Sequence, residues 1–191
     1  VVTAEMIHSM VDKVPSIMDE PFGDSSIVPT YLLSKFAREH VKVVLGGDGG
    51  DELFAGYPLM QAHRMVELYE TLIPFSLRAR LIPSLVQSFP VSFNNISFDF
   101  KAKRFLSGRG MPMSVRHHHW LGAFGHAEKA NLLHEDLHYS EIDTYDVVKQ
   151  HLAETDAREA FNQLLYCDMK LYLEGDILTK VDRASMANSL E

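Results

Sequence analysis

Three carboxylates, Asp48, Asp51 and Glu52, are interleaved with glycines in V-V-L-G-G-D-G-G-D-E-L-F-A-G-Y, residues 43–57. Glycines at 46, 47, 49 and 50 let the backbone lie close to whatever binds there. A turn that held a phosphate through amides alone would gain nothing from three negative charges. Hard oxygen ligands in such a turn instead suit Mg²⁺ bridging protein and polyphosphate, with one or two carboxylates on the metal. A solvated acidic turn with a capping aspartate has the same composition. In that alternative Asp51 is the helix N-cap, accepting from the free amides of the next turn.

The elements that must position this loop are read from its flanks. Val41 to Leu45 is too short for a stable helix, and its β-branching suits a buried parallel strand. A strand leading through a Gly-rich turn to a helix N-terminus is where open α/β sheets bind ligands. Upstream, Thr3 caps an expected helix that runs to Val14 and is ended by Pro15. Pro29 fits the first turn of a helix reaching about Glu39. Beyond Tyr57 the pattern is helical: Met60 to Ile73, Phe75 to Phe89, Phe98 to Leu106, Ser114 to Phe124, Tyr145 to Ala153, Ala157 to Leu173, and a last helix from Thr179. With one strand over this length, sheet partners are expected outside the stretch.

Other residue groups have chemical potential. Asp19 and Glu20 precede Pro21, which keeps Glu20 out of the helical region, so this acidic pair sits on an extended loop. Asp24, Ser25 and Ser26 then offer polar contacts to a substrate, or cap the next helix. Lys180 and Arg183 are i, i+3 on one helical face and can reach one polyphosphate, with Asp176 and Asp182 to hold them. An ordinary salt-bridged helix has the same spacing. His117, His118 and His119 point about 100° apart on a helix and cannot converge on one ion. Arg104, Arg109 and Arg116 form a basic cluster that reads as surface charge, with an anion or a partner domain as the alternative; Trp120 and Phe124 read as an i, i+4 core pair, and Cys167 as a buried, inert thiol.

Composition narrows the class. At 191 residues the chain suits one domain or a large part of one. A net charge of −8 argues against nonspecific nucleic-acid binding. There is no apolar run long enough for a transmembrane helix, and V-V-T-A-E-M-I-H has no signal-peptide pattern. A single cysteine fits a reducing compartment, so a cytoplasmic location is expected, with no membrane or nucleic-acid partner.

Three ordered segments carry a resemblance: D-E-P-F-G-D-S-S-I-V-P-T-Y at 19–31, L-G-G-D-G-G-D-E-L-F-A-G-Y at 45–57 and G-D-I-L-T-K-V-D-R-A-S-M-A-N-S-L-E at 175–191. Together they resemble the synthetase domain of glutamine-hydrolysing asparagine synthetases. The resemblance implies an α/β fold: a largely helical fragment of an adenine-nucleotide alpha-hydrolase-like (pyrophosphatase-loop ATPase) domain with at least one parallel strand. Residues 1–57 would be the strand and loop part of the nucleotide-binding core, 58–174 a helical part, and 175–191 the basic phosphate-side motif. It implies ATP and Mg²⁺ as cofactors. It also implies adenylation of the side-chain carboxylate of aspartate, followed by attack of ammonia from a glutaminase domain of the same parent chain, giving asparagine, AMP and pyrophosphate.

Residue by residue, the resemblance makes Asp51 the Mg²⁺ ligand and puts Asp48 near substrate and intermediate. Gly46, Gly47, Gly49, Glu52 and Asp24 fall to nucleotide or substrate binding. Tyr57 matches a tyrosine that β-lactam-forming relatives use in acid/base work, and Lys180 and Arg183 match the basic motif facing departing pyrophosphate. Either of the last two can be the catalytic cation. Two features depart from the pattern. Gly46 stands where family members usually carry serine, which keeps open a relative acting on another carboxylate, β-lactam-forming or polysaccharide-amidating. The Ser-Gly-Gly-x-Asp-Ser loop that binds ATP and the nucleophilic cysteine of the glutaminase domain are absent, so the chain reads as an internal piece, inactive alone. A non-catalytic nucleotide-binding domain is the remaining alternative.

Overall fold

The computed structural model describes residues 3–92, 97–137 and 143–191. Among them the chain is helical. Helix α1 (Ala4–Val11) is followed by α2 (Val14–Ile17), α3 (Ile27–Arg38) and α4 (Gly50–Phe54). Next come α5 (Pro58–Leu72), a π-helical turn at Leu77–Leu81, α6 (Ile82–Gln87), α7 (Phe98–Ser107) and α8 (Met113–Leu121). After α9 (His126–Leu132), α10 (Asp146–Glu154) and α11 (Ala160–Cys167), a π-helical stretch, Asp168–Leu178, leads into α12 (Thr179–Met186). The chain divides into two compact units, one of Val1–Phe54 with Asp168–Glu191 and one of Ala55–Cys167.

The expected α/β class and its parallel strand are not what the described residues form: they contain no strand or sheet. Residues 41–45 lie outside any helix, as their β-branching favours, but a strand exists only where a neighbour takes up its alternate amides and carbonyls. Here Val44 N–H donates to Glu191 O at 2.6 Å and Glu191 N–H to Lys42 O at 2.9 Å. The side chains are not buried as a central strand requires, and Leu45 is 95% exposed.

In the first unit α3 and α12 pack together over Met18, Ile27 and Ala184, flanked by Val14, Phe22, Val28 and Tyr31. Ala184 is fully buried, and its small side chain lets α12 approach closely. Asn188 Nδ2 donates to Ala184 O at 2.8 Å and Tyr31 O at 3.3 Å, tying the end of α12 to α3. Thr3 caps α1 as expected, accepting from Met6 N–H, but Pro15 opens α2 instead of only ending α1, because proline is tolerated in a first turn.

The second unit is built on α8, which packs against α10 and α11. His63 on α5 stacks on Trp120 with ring centroids 5.0 Å apart, and Trp120 stacks on Phe105 at 6.1 Å. Helix α8 ends at Leu121, so Phe124 leaves the helical register and is 53% exposed. Trp120 is therefore core and Phe124 is not. Cys167 is buried, as its apolar neighbours imply. Among the described residues no helix is long and apolar enough to cross a membrane.

Candidate active site

The Gly-rich segment turns at Asp48 and Gly49, and Gly50 N–H closes on Gly47 O at 3.2 Å. Gly49 takes a φ of +90°, a region that excludes most side chains, and the Leu173 methyls stand 3.6 Å from where a Cβ would be. Helix α4 begins at Gly50, so Asp51 and Glu52 occupy its first turn, where the dipole favours acids. Asp51 is thus inside the helix and not its N-cap. Asp48 and Asp51 are exposed, whereas Glu52 is 1% exposed. A Cβ on Gly46 would stand 2.7 Å from Asp48 Oδ2: the Asp48 carboxylate folds back over the space that glycine leaves.

Among the described residues no group of three or more His, Cys, Asp or Glu could hold a metal ion. Two exposed carboxylates, Asp48 and Asp51, on one short turn fit a cation that takes only one or two protein ligands and fills its shell with phosphate and water. Mg²⁺ is such a cation, and Asp51 is the residue of this turn that could hold it.

The basic motif is organised by the 19–26 loop. Lys180 is 8% exposed, and its Nζ lies 2.6 Å from Asp24 Oδ2 and 3.9 Å from Asp176 Oδ1. Asp24 Oδ1 also accepts from Ser26 N–H at 2.8 Å, and Ser26 Oγ donates to Asp24 Oδ2 at 2.5 Å. Burial pushes Asp24 up, but the Lys180 and Ser26 hydrogen bonds and the Lys180 charge outweigh it and hold the carboxyl at about 2. Asp176 is pushed above its usual range by burial and by the Asp24 charge, against the pull of Lys180. Arg183 pairs with Asp19 instead and borders an open pocket of about 390 Å³ with Ser16, Ile17, Asp182, Met186 and Ala187.

So the two cations, expected on one face, are each taken by a different acid of the same loop. Lys180 is buried and doubly flanked by carboxylates; Arg183 is half-exposed. Sequence reasoning placed Asp24 at the substrate and missed its bond to Lys180. It also missed Asp19 as the partner of Arg183. The sign that was available was the density of acids in D-E-P-F-G-D. Tyr57 belongs to the second unit, where it stands at the N-terminus of α5 with extended backbone, φ −65° and ψ 134°.

The second unit holds a polar cluster that sequence reasoning read differently. Arg116, expected at the surface, is buried, and its Nε donates to His63 Nδ1 at 3.2 Å. His63 Nε2 lies 3.0 Å from His117 Nδ1. The Arg116 donor assigns the tautomer: neutral His63 carries its proton on Nε2 and gives it to His117 Nδ1. Burial, then the His117 and Arg116 charges, lower His63 to about 3. The His triplet diverges, His118 Nδ1 pairing with Ser114 O at 2.9 Å and His119 with Tyr145 Oη at 2.7 Å and Ser107 Oγ at 2.9 Å. Arg104 grips the carbonyls of Trp120 and Gly122 at the end of α8.

The family model described as Asparagine synthase matches residues 1–191. The chain is 30% identical over 192 residues to "Asparagine synthetase [glutamine-hydrolyzing] 1" of Bacillus subtilis, covering 100% of this chain and 28% of that protein. It is 29% identical over 194 residues to a "Putative asparagine synthetase [glutamine-hydrolyzing]" of Mycobacterium tuberculosis, again 100% of this chain and 28% of the relative. Over 50 residues, 26% of this chain and 10% of the relative, it is 60% identical to "Putative asparagine synthetase [glutamine-hydrolyzing] 2" of Methanocaldococcus jannaschii. The chain thus spans under a third of the length of the full-coverage relatives. No solved structure matches. With its whole length matched by the family model, the chain belongs to the asparagine synthase family.

Proposed function

We propose that this chain is the carboxylate-activating part of an ATP-dependent amide-forming ligase that adenylates the side-chain carboxylate of aspartate. Ammonia from a glutaminase domain of the same protein then displaces AMP, giving asparagine and pyrophosphate. The observation that carries this reading is the buried Lys180 ammonium held by Asp24 in a chain matched end to end by the asparagine synthase family. A fixed cation is what an anionic leaving group needs, because its position is set before charge develops.

In this reading Asp51 would hold Mg²⁺, which when bound shields phosphate charge, and Asp48 stands near substrate and intermediate. Lys180 stabilises the departing pyrophosphate, and Arg183 is the second cation, held off by Asp19. Gly46, Gly47 and Gly49 let the backbone close on the nucleotide, with Glu52, in the first turn of α4, at the same loop. Tyr57 would serve acid/base work if the chain belongs to a β-lactam-forming relative. A single cysteine over this stretch fits a reducing compartment, and a cytoplasmic location is part of this reading.

A second reading, a relative amidating or cyclising a different carboxylate, is favoured by one observation. Asp48 folds over Gly46, which places a negative charge where a seryl side chain would project. Amide formation by the full-length protein, assayed over aspartate and a panel of other carboxylic acids with and without Asp51→Asn, separates the two. Aspartate-dependent amide formation lost in the variant supports the first. Activity on another acid alone supports the second, and none on any acid supports a non-catalytic domain.

A further inference from the structure

Lys180 shares its surroundings with two carboxylates, and a cation so matched has little charge left to offer an anion. Asp24 satisfies it directly at 2.6 Å, while Asp176 Oδ1, closed off from water and accepting no hydrogen bond, stands 3.9 Å away. With both acids ionised, the trio carries a net negative charge and repels a polyphosphate. With one of them protonated it is neutral, and the ammonium is free to meet the ligand. A buried carboxylate oxygen without a donor is also the poorer place for a charge, which singles out Asp176 as the acid that gives way.

We propose that Asp24 and Asp176 are positioning residues for Lys180, and that Asp176 takes up one proton from solvent when a polyphosphate binds against the Lys180 ammonium. This inference rests on the reading of Lys180 as the cation that meets polyphosphate. The proton forms an O–H bond on the Asp176 carboxyl and nothing else is made or broken. Asp24 keeps its charge, because Ser26 donates to it through both backbone and side chain.

The titratable groups on the elements packed about Asp176 come from its own stretch, from α12 and α4, and from the loop before α3. On its own stretch, Asp168–Leu178, stand Asp168, Lys170 and Glu174. Helix α12, packed against it, carries Lys180, Asp182 and Arg183, and α4 carries Asp51 and Glu52. From the loop before α3 comes Asp24. Of all these, Asp24 and Lys180 act on the Asp176 carboxyl, the first raising it and the second opposing.

The direction follows. Below its own pKa Asp176 is already neutral and affinity is flat. Above it, each unit of pH weakens polyphosphate binding by up to about tenfold, since one proton must be supplied. The test is pyrophosphate binding by calorimetry across pH, on the full-length protein and its Asp176→Asn, Asp176→Ala and Lys180→Ala variants, each checked by circular dichroism. The ratio of wild-type to Asp176→Asn affinity cancels the ligand's own titration. It should fall with rising pH, and wild-type binding should take up about one proton in buffers of different ionisation heat. A ratio constant across pH, with no proton uptake beyond that of pyrophosphate itself, overturns the proposal. Undiminished binding by Lys180→Ala instead overturns the underlying assignment of Lys180. If Asp176→Asn does not fold, Asp176→Ala and the wild-type proton count carry the same decision.

Discussion

Lys180 and Asp24, 156 residues apart in sequence, meet at 2.6 Å, so the loop before α3 and the helix α12 are joined through the cation on which the proposed chemistry depends. The bond is mostly sheltered, and each partner is also held from a second side. Replacing Asp24 with Asn is expected to destabilise the protein by about 1.5–3 kcal/mol, the range for losing a hydrogen bond to a charged group. Its acid sign is defined: a carboxyl held near 2 against an ordinary 3.8 stabilises the fold above pH 3.8, and that contribution disappears as pH falls through 2. Urea unfolding of both proteins at neutral pH and at low pH checks this. The difference between them should shrink in acid.

His63 works in the opposite direction from a group that gains a proton on folding. It is 1% exposed, and neutral when folded down to about pH 3, while the unfolded chain takes up the proton near 6.5. The unfolded state therefore binds more protons below pH 6.5, and stability falls as pH is lowered from there, by at most about 1.4 kcal/mol per unit for one proton. His63→Gln should flatten this part of the profile. Thermal melts between pH 4 and pH 7.5 measure it, and a parallel slope in the variant would exclude His63 as its source.

Gly46 owes its effect to space. A methyl group there would meet Asp48 Oδ2 at 2.7 Å, and since that atom is the end of a rotatable side chain, the carboxylate should swing away while the loop keeps its fold. Gly46→Ala and Gly46→Ser are expected to leave the melting temperature within a few degrees while altering which carboxylic acids are amidated. An acceptor profile identical to wild type in both variants would remove Asp48 from substrate selection.

Ala184 sets how closely α12 approaches α3. Being fully buried against Met18 and Ile27, it has no room for a larger group, so Ala184→Leu should cost about 1–3 kcal/mol by overpacking. Because Lys180 lies on the same helix, this variant should also weaken the Asp24 contact. Chemical denaturation gives the first effect and the activity of the folded fraction the second.

What the sequence discloses here is local. Thr3 as a cap, Pro29 in a first turn and the start of α12 at Thr179 follow from dihedral preferences of a few neighbouring residues. The strand expected at Val41–Leu45 failed because β-structure needs a pairing partner that a propensity does not specify. Arg116 was read as surface charge because its partner, His63, lies 53 residues away. The π-helical course of Asp168–Leu178, which brings Leu173 beside Gly49 and Asp176 beside Lys180, has no simple sequence mark. The acidic loop and basic helix were legible as motifs, but their pairing, Asp24 with Lys180 and Asp19 with Arg183, was not.

The most direct measurement is ATP–pyrophosphate exchange by the full-length protein with and without aspartate, beside Lys180→Ala and the exposed-lysine control Lys170→Ala. Exchange that requires aspartate, survives in Lys170→Ala and is lost in Lys180→Ala is expected if this chain activates a carboxylate at the Lys180 site. Exchange that persists unchanged in Lys180→Ala, or that no carboxylic acid elicits, would contradict it.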